Sequence, residues 1–192
     1  MKKPDFIQRI KSREHKAFRE LVGLYQKMVL NICLGYLHNP ADAEDLAQDV
    51  FLEIYNKIDS FRSDAKLSTW IYRITVNKSL NFIRNNKKEK TNLSLVPDND
   101  GEGIGLQIPV DKQEQIDYKI ESSERKKRMD IAIDSLPENQ RSAFVLNKYD
   151  DKSYKEIAEI MGLSLSSVES LLFRAKQNLQ KKLLECYKNL NS

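Results

Sequence analysis

Ser166, Ser167, Glu169, Ser170, Phe173, Arg174 and Gln177 are the side chains best placed by type and spacing to engage another molecule. Arg174 has a planar guanidinium that could bond the edge of a guanine or a phosphate, and Glu169 could accept from a cytosine amino group. They share a face because Val168, Leu171, Leu172, Ala175 and Leu179 recur at i, i+3, i+4, i+7 and i+11 and must form the buried stripe of the same helix. The chemistry is hydrogen bonding and charge recognition, with no bond making or breaking.

The elements that must position this face lie immediately upstream. Counted from Tyr154, the chain places Ile157, Ala158, Met161, Gly162, Leu163, Val168 and Leu171 at the spacing of a helix-turn-helix. Ala158 is small where two crossing helices come closest, Gly162 can take positive φ at the tight turn, and the others are expected to join the helices. Ser153 with Glu156, and Ser166 with Glu169, have capping-box spacing and are expected to mark the two helix starts. In such a motif the N-terminal part of the second helix enters the DNA major groove. The plainer alternative is a helical hairpin with a solvated face.

Further upstream, Phe6 to Tyr36 reads as one or two helices, and Asn39-Pro40 supplies an N-cap followed by proline at the first helical position. Ala43, Leu46, Ala47, Val50, Phe51, Ile54, Tyr55 and Ile58 then keep helical spacing, with Asp42, Asp45, Gln48, Asp49 and Glu53 on the other face. Read by itself, such an acidic face is ordinarily just solvated. In a DNA-binding chain it also points away from phosphates and suits a protein partner. Asp59 to Ser68 breaks the periodicity and reads as a loop. Thr69 to Arg84 resumes a helix mixing Trp70, Tyr72, Arg73, Asn77, Lys78, Asn81, Phe82 and Arg84, a composition that could hold single-stranded nucleic acid. Trp70 and Phe82 are expected in the core.

The 192 residues are almost everywhere helical in their apolar spacing and poor in glycine, which implies an all-α fold of two small helical domains. The expected division is 1–90, a linker over 91–117, and 118–192. Residues 91–117 contain Gly101, Gly103, Gly105, Pro97 and Pro109 and no helical stripe, so a flexible linker is expected there. Residues 1–90 hold 17 Lys/Arg against 11 Asp/Glu, 91–124 hold 2 against 8, and 125–192 hold 13 against 9. Two basic bodies around an acidic middle suit two nucleic-acid contacts. No signal peptide or membrane span is read, so a cytoplasmic protein without membrane insertion is expected. Cys33, Cys186, His15 and His38 lack paired metal-ligand spacing, so no zinc, no disulfide and no cofactor are expected. Neither a Gly-rich phosphate loop nor a nucleophile elbow is present, which argues against an enzyme.

Three stretches together carry a family resemblance: DAEDLAQDVFLEIY at Asp42 to Tyr55, FRSDAKLSTWIYRITVNKSLNFIR at Phe61 to Arg84, and LPENQRSAFVLNKYDDKSYKEIAEIMGLSLSSVESLLFRAK at Leu136 to Lys176. Their order and spacing resemble the small two-domain extracytoplasmic-function (ECF) group of bacterial RNA polymerase sigma factors. The resemblance implies that residues 1–90 correspond to sigma region 2 and 118–192 to sigma region 4. It implies docking on the core polymerase clamp through Asp42, Asp45, Gln48 and Asp49. The loop with Phe61, Arg62, Ser63 and Asp64, together with Asn77, would then read and open the −10 element by capturing single-stranded DNA. The C-terminal domain would dock on the polymerase flap and read the double-stranded −35 element through Tyr154, Ser167, Glu169, Ser170, Phe173 and Arg174. An anti-sigma factor is implied as a further partner.

Two departures bear on specificity. Many relatives carry a basic residue at the positions of Glu169 and Leu171, so this recognition helix is less positive. The long insert and acidic N-terminal region of primary sigma factors have no counterpart, which implies an alternative sigma factor. The competing reading is a helix-turn-helix regulator acting without polymerase docking. It would need an effector pocket or receiver domain ahead of the motif, and the amphipathic helices there fit neither well.

Overall fold

Helix boundaries follow local chemistry throughout the computed structural model, which describes residues 3–62, 66–93 and 113–188. The elements are α1 (Lys3–Lys11), α2 (His15–Leu37), α3 (Pro40–Lys57), a 3-10 turn (Ile58–Ser60), α4 (Leu67–Leu93), α5 (Gln113–Asp134), α6 (Glu138–Tyr149), α7 (Tyr154–Met161) and α8 (Leu165–Lys188). No strand occurs among the described residues, so the fold is all-α. Phe6 to Tyr36 is divided in two because Arg13 takes the left-handed conformation, φ 62°. Its guanidinium holds that break in place by donating to the Tyr55 carbonyl and to Asp59 at 2.7 Å. His38, also left-handed at φ 59°, ends α2 with its N–H on the Leu34 carbonyl. Asn39 then caps α3 by accepting from the Ala41 N–H at 2.9 Å, with Pro40 at the first position as expected.

The first core joins α1 to α4. Ile10, Leu21, Val29, Val50, Ile54 and Ile71 are wholly buried in it, and each such side chain contributes about 1.5–3 kcal/mol on leaving water. Trp70 and Phe82 pack against this core as expected. A further cluster, Ala132, Ile133, Leu136, Ala175 and Leu179, fastens α5 to α8. Of the expected 91–117 linker, residues 94–112 lie outside the described residues. At its edges α4 continues to Leu93, and α5 has already begun at Gln113.

The expectation of two bodies joined only through a linker misses a seam. Ile32, Tyr36, Tyr72 and Val76 of α2 and α4 share one apolar cluster with Ala143, Val145, Leu146, Ile157, Ile160, Val168 and Leu172 of α6, α7 and α8. Polar groups stitch its margins. Tyr36 Oη donates to Ser142 Oγ at 2.7 Å, Arg141 donates to the Tyr36 carbonyl at 2.6 Å, and Tyr72 Oη donates to the Asp150 carboxylate. Arg73 caps the C-terminal end of α7, donating to the carbonyls of Ile160 and Glu159 at 2.9 Å each, where the helix leaves carbonyls unsatisfied. Arg84 meets Glu138 at 2.7 Å, and His38 lies 3.2 Å from Asp130 and 3.1 Å from Asp134. Burial raises both tyrosine hydroxyls above their ordinary pKa, so Tyr36 and Tyr72 remain neutral donors.

Candidate nucleic-acid interface and docking face

Helix α7 begins as the sequence dictates. The Ser153 N–H donates to Glu156 Oε2 at 2.9 Å and Ser153 Oγ accepts from the Glu156 N–H at 3.4 Å, completing the capping box. Ser153 Oγ also donates to Glu156 Oε2 at 2.7 Å, and this side-chain bond first, then the Ser153 N–H, holds the Glu156 carboxyl below its ordinary range. Gly162 turns the chain at φ +67°, and the Leu163 N–H closes on the Ala158 carbonyl at 3.0 Å. Two details differ from expectation. The start of α8 is capped by Ser164, whose Oγ accepts from the Ser167 N–H at 3.2 Å, so Ser166 and Glu169 are not its capping box. Leu163, expected to join the two helices, is 37% exposed because it lies in the turn itself.

The recognition face is presented to solvent. Val168, Leu172, Ala175 and Leu179 are buried, while Glu169, Ser170, Phe173 and Arg174 are exposed, Phe173 by 63%. Arg174 Nε donates to the Ser170 carbonyl at 3.2 Å, which lays the guanidinium along the helix one turn toward its N-terminus. Ser167 is half-buried and its hydroxyl contacts Ser164 Oγ at 2.7 Å, so it supports the cap as well as the face. Tyr154 lies at the start of α7 and is also exposed. An exposed surface of hydroxyls, one carboxylate, one guanidinium and one aromatic ring can bond base edges and phosphates and pack on a methyl group.

Asp42, Asp45, Gln48 and Asp49 all lie on the solvent side of α3, opposite buried Ala43, Leu46, Ala47, Val50 and Ile54. The face is not purely acidic. Leu52, in register with Asp45, Gln48 and Asp49, is 61% exposed, a feature the apolar stripe conceals because Leu52 falls outside it. Lys78 of α4 reaches Asp49 and Glu53 at 3.5 Å each, so one edge of the face is partly neutralised. The Lys57 bond at 2.7 Å is the largest cause that holds the Glu53 carboxyl below its ordinary value. Sequence reading missed both Leu52 and this role of Lys78.

The third group is only partly assembled. Asn77 and Arg62 are exposed, but Phe61 is 3% exposed with its ring centroid 5.5 Å from that of Trp70. Its carbonyl accepts from Lys11 Nζ at 2.8 Å. Phe61, expected among the strand-capturing loop residues, opens the loop with its ring turned into the core. Ser63 and Asp64 lie outside the described residues. Cys33 is fully buried, and burial pushes its thiol up to about 12. Among the described residues no group of His, Cys, Asp or Glu could hold a metal ion, and no helix is long and apolar enough to cross a membrane.

Residues 21–89 match the family profile Sigma-70 region 2, and residues 127–179 match Sigma-70, region 4. The ECF RNA polymerase sigma-E factor of Escherichia coli strain K12 is 31% identical over 178 residues, covering 92% of this chain and 91% of that protein. The ECF RNA polymerase sigma factor SigW of Bacillus subtilis strain 168 is 32% identical over 177 residues, covering 92% and 94%. Among solved structures, CnrH in complex with the cytosolic domain of CnrY has the same fold, with a TM-score of 0.63 at 20% identity over 94% of this chain and 96% of that one. RpoE in complex with the anti-sigma factor NepR from Bartonella quintana is similar at a TM-score of 0.59 and 23% identity, covering 88% and 97%. An exposed polar face on a capped helix-turn-helix, an exposed acidic face on α3 and matches spanning both halves lead to one assignment. The chain belongs to the ECF group of the sigma-70 family, non-enzymatic RNA polymerase sigma factors that direct promoter-specific transcription initiation.

Proposed function

We propose that each of the three surfaces serves one step of initiation. The α3 face of Asp42, Asp45, Gln48 and Asp49 docks on the polymerase clamp, with Leu52 adding an apolar contact at its C-terminal end. Arg62 and Asn77 take part in opening the −10 element, Asn77 by offering a donor and an acceptor to an extruded base. Tyr154, Ser167, Glu169, Ser170, Phe173 and Arg174 read the −35 element, while the second body rests on the polymerase flap. Work in the cytoplasm follows from this role, and an anti-sigma factor, such as the one bound to RpoE of Bartonella quintana, is the proposed antagonist.

The observation that carries this reading is the division of α3 and α8 into one buried and one polar exposed face, with the polar faces left exposed by the other described residues. The experiment compares the full chain with Asp45→Lys/Gln48→Ala and with Asn77→Ala on duplex and pre-melted bubble templates. The docking variant should lose core binding and fail on both templates. Asn77→Ala should fail on duplex and regain much of its transcription on the bubble, whose opening cost is already removed. Equal failure of Asn77→Ala on both templates would make that residue structural.

A further inference from the structure

Helix α1 ends at Lys11, before residue 21 where the region 2 match begins, so family likeness gives it no task. Its apolar side is occupied by Phe6, Ile7 and Ile10, which pack in the first core. Its C-terminal end reaches elsewhere. Lys11 Nζ donates to the Phe61 carbonyl at 2.8 Å, and Arg13, in the bend that follows α1, donates to the Tyr55 carbonyl and to Asp59. Both side chains hold the stretch that leads from α3 into the loop. The Tyr55 carbonyl is among the last four of α3, which a helix leaves without an internal partner, and the 3-10 turn after it has no side-chain cap at its start.

Phe61 is the last core residue before the loop, and each of its groups is tied down. Its N–H donates to the Ile58 carbonyl at 3.1 Å, its buried ring packs on Trp70 of α4, and its carbonyl takes the Lys11 bond. Trp70 stands two turns before Asn77 on the same helix, so the ring ties the loop's root to the element that carries Asn77. The carbonyl governs what comes next. It lies in one plane with the Arg62 nitrogen and Cα, so a donor that fixes it also fixes Phe61 ψ, 117° here, and the direction in which Arg62 leaves the core. With the donor removed, the ring and the N–H still hold Phe61, but ψ is free to range over the extended region, roughly 100–180°.

We propose that Lys11 is a positioning residue for strand capture: by holding the Phe61 carbonyl it sets the direction of Arg62 relative to Asn77 while the −10 element opens. This rests on the assignment of Arg62 and Asn77 to that step. Extruding a base is offset only by contacts made in the open state, and those contacts are strongest when the groups that make them are placed beforehand. Lys11 supplies that placement from a helix that itself touches no DNA.

Three variants of the full chain test this. Lys11→Met keeps the stem and removes the donor, Lys11→Arg restores a donor, and Lys16→Met removes the same charge from an exposed position on α2. Hydrogen exchange at the Phe61 and Arg62 amides, followed by NMR, should be about tenfold faster in Lys11→Met and close to wild type in the other two. With core polymerase, Lys11→Met should open duplex promoter about tenfold more slowly, lose less than about twofold on a pre-melted bubble, and bind core as wild type does. Lys11→Arg should recover most of the opening rate. Unchanged exchange in Lys11→Met would remove the anchor. Equal slowing on duplex and bubble, weakened core binding, no recovery with Lys11→Arg, or the same slowing in Lys16→Met would each overturn the positioning role. If wild type starts no transcription on either template, the initiation reading falls and the opening step with it, while the exchange rates still decide whether Lys11 holds Phe61.

Discussion

Gly162→Ala and Gly23→Ala are the same chemical change and should shift stability in opposite directions. A Cβ added at either position meets nothing within 4 Å, so packing contributes to neither. Only the backbone differs. Gly162 sits at φ +67°, where an L-residue suffers a clash between Cβ and its own carbonyl that costs about 1–2 kcal/mol. Gly23 lies in the interior of α2 with ordinary helical geometry, where alanine gains roughly 0.5–1 kcal/mol through reduced entropy loss. The expected separation between the variants is therefore about 2 kcal/mol. At a urea dependence of about 2 kcal/mol per molar, their unfolding midpoints should differ by about 1 M, with wild type between them. Circular dichroism at 222 nm in urea measures this directly, and Gly162→Asn should lose less than Gly162→Ala because asparagine tolerates the left-handed region. Midpoints moving in the same direction, or no loss at Gly162, would refute the claim that backbone conformation alone decides the cost of that turn.

Ser153→Ala should cost about 1 kcal/mol at neutral pH by removing the α7 cap. Glu156 has a folded pKa below its ordinary 4.5, so its stabilisation is present above that value and disappears as pH falls through the folded pKa; the gap between wild type and Ser153→Ala should narrow in acid unfolding measurements below about pH 4.5. The Cys33 thiol, pushed up to about 12 by burial, should stay protonated and react with iodoacetamide at pH 8 only at the rate of unfolding, read by peptide mass spectrometry; prompt labelling at that cysteine would contradict its burial. Arg174→Ala should weaken holoenzyme binding to the upstream element by about 1–3 kcal/mol, whereas Glu169→Ala should mainly change the preferred sequence in a randomised-element selection. Unchanged affinity in the first and unchanged preference in the second would remove both assignments.

The parts of the fold that were legible in the sequence are those fixed by local chemistry. Ser153 with Glu156, Asn39 with Pro40, and Gly162 each need only their near neighbours, and each does what its spacing implies. The α8 cap was displaced to Ser164 because serines at 164, 166 and 167 offer competing hydroxyls within one turn, and side-chain identity alone does not choose among them. Periodicity also marks which face of a helix is apolar without saying what covers it. Ile32 and Tyr36 belong to the α2 stripe, yet they lie in the cluster shared with α6, α7 and α8. Arg141 is 4% exposed, against the ordinary expectation for a charged residue; its Nη2 donates to the Tyr36 carbonyl and to Asp134 across long and short sequence distances, while its Nε has no partner among the described residues. Of the candidate site, the α3 and α8 faces were legible because buried and exposed positions alternate at helical spacing. Phe61 was not, since a loop without periodicity gives no sign that its first side chain turns inward.

The most direct test of promoter-specific initiation is to add the purified chain to core RNA polymerase with fragmented genomic DNA and map the 5′ ends of the transcripts. The account predicts a limited set of start sites preceded by shared sequences at the −10 and −35 positions, with the upstream sequence altered when Glu169→Ala replaces the wild type. Transcripts starting without sequence preference, or no transcripts beyond those of core polymerase alone, would contradict it.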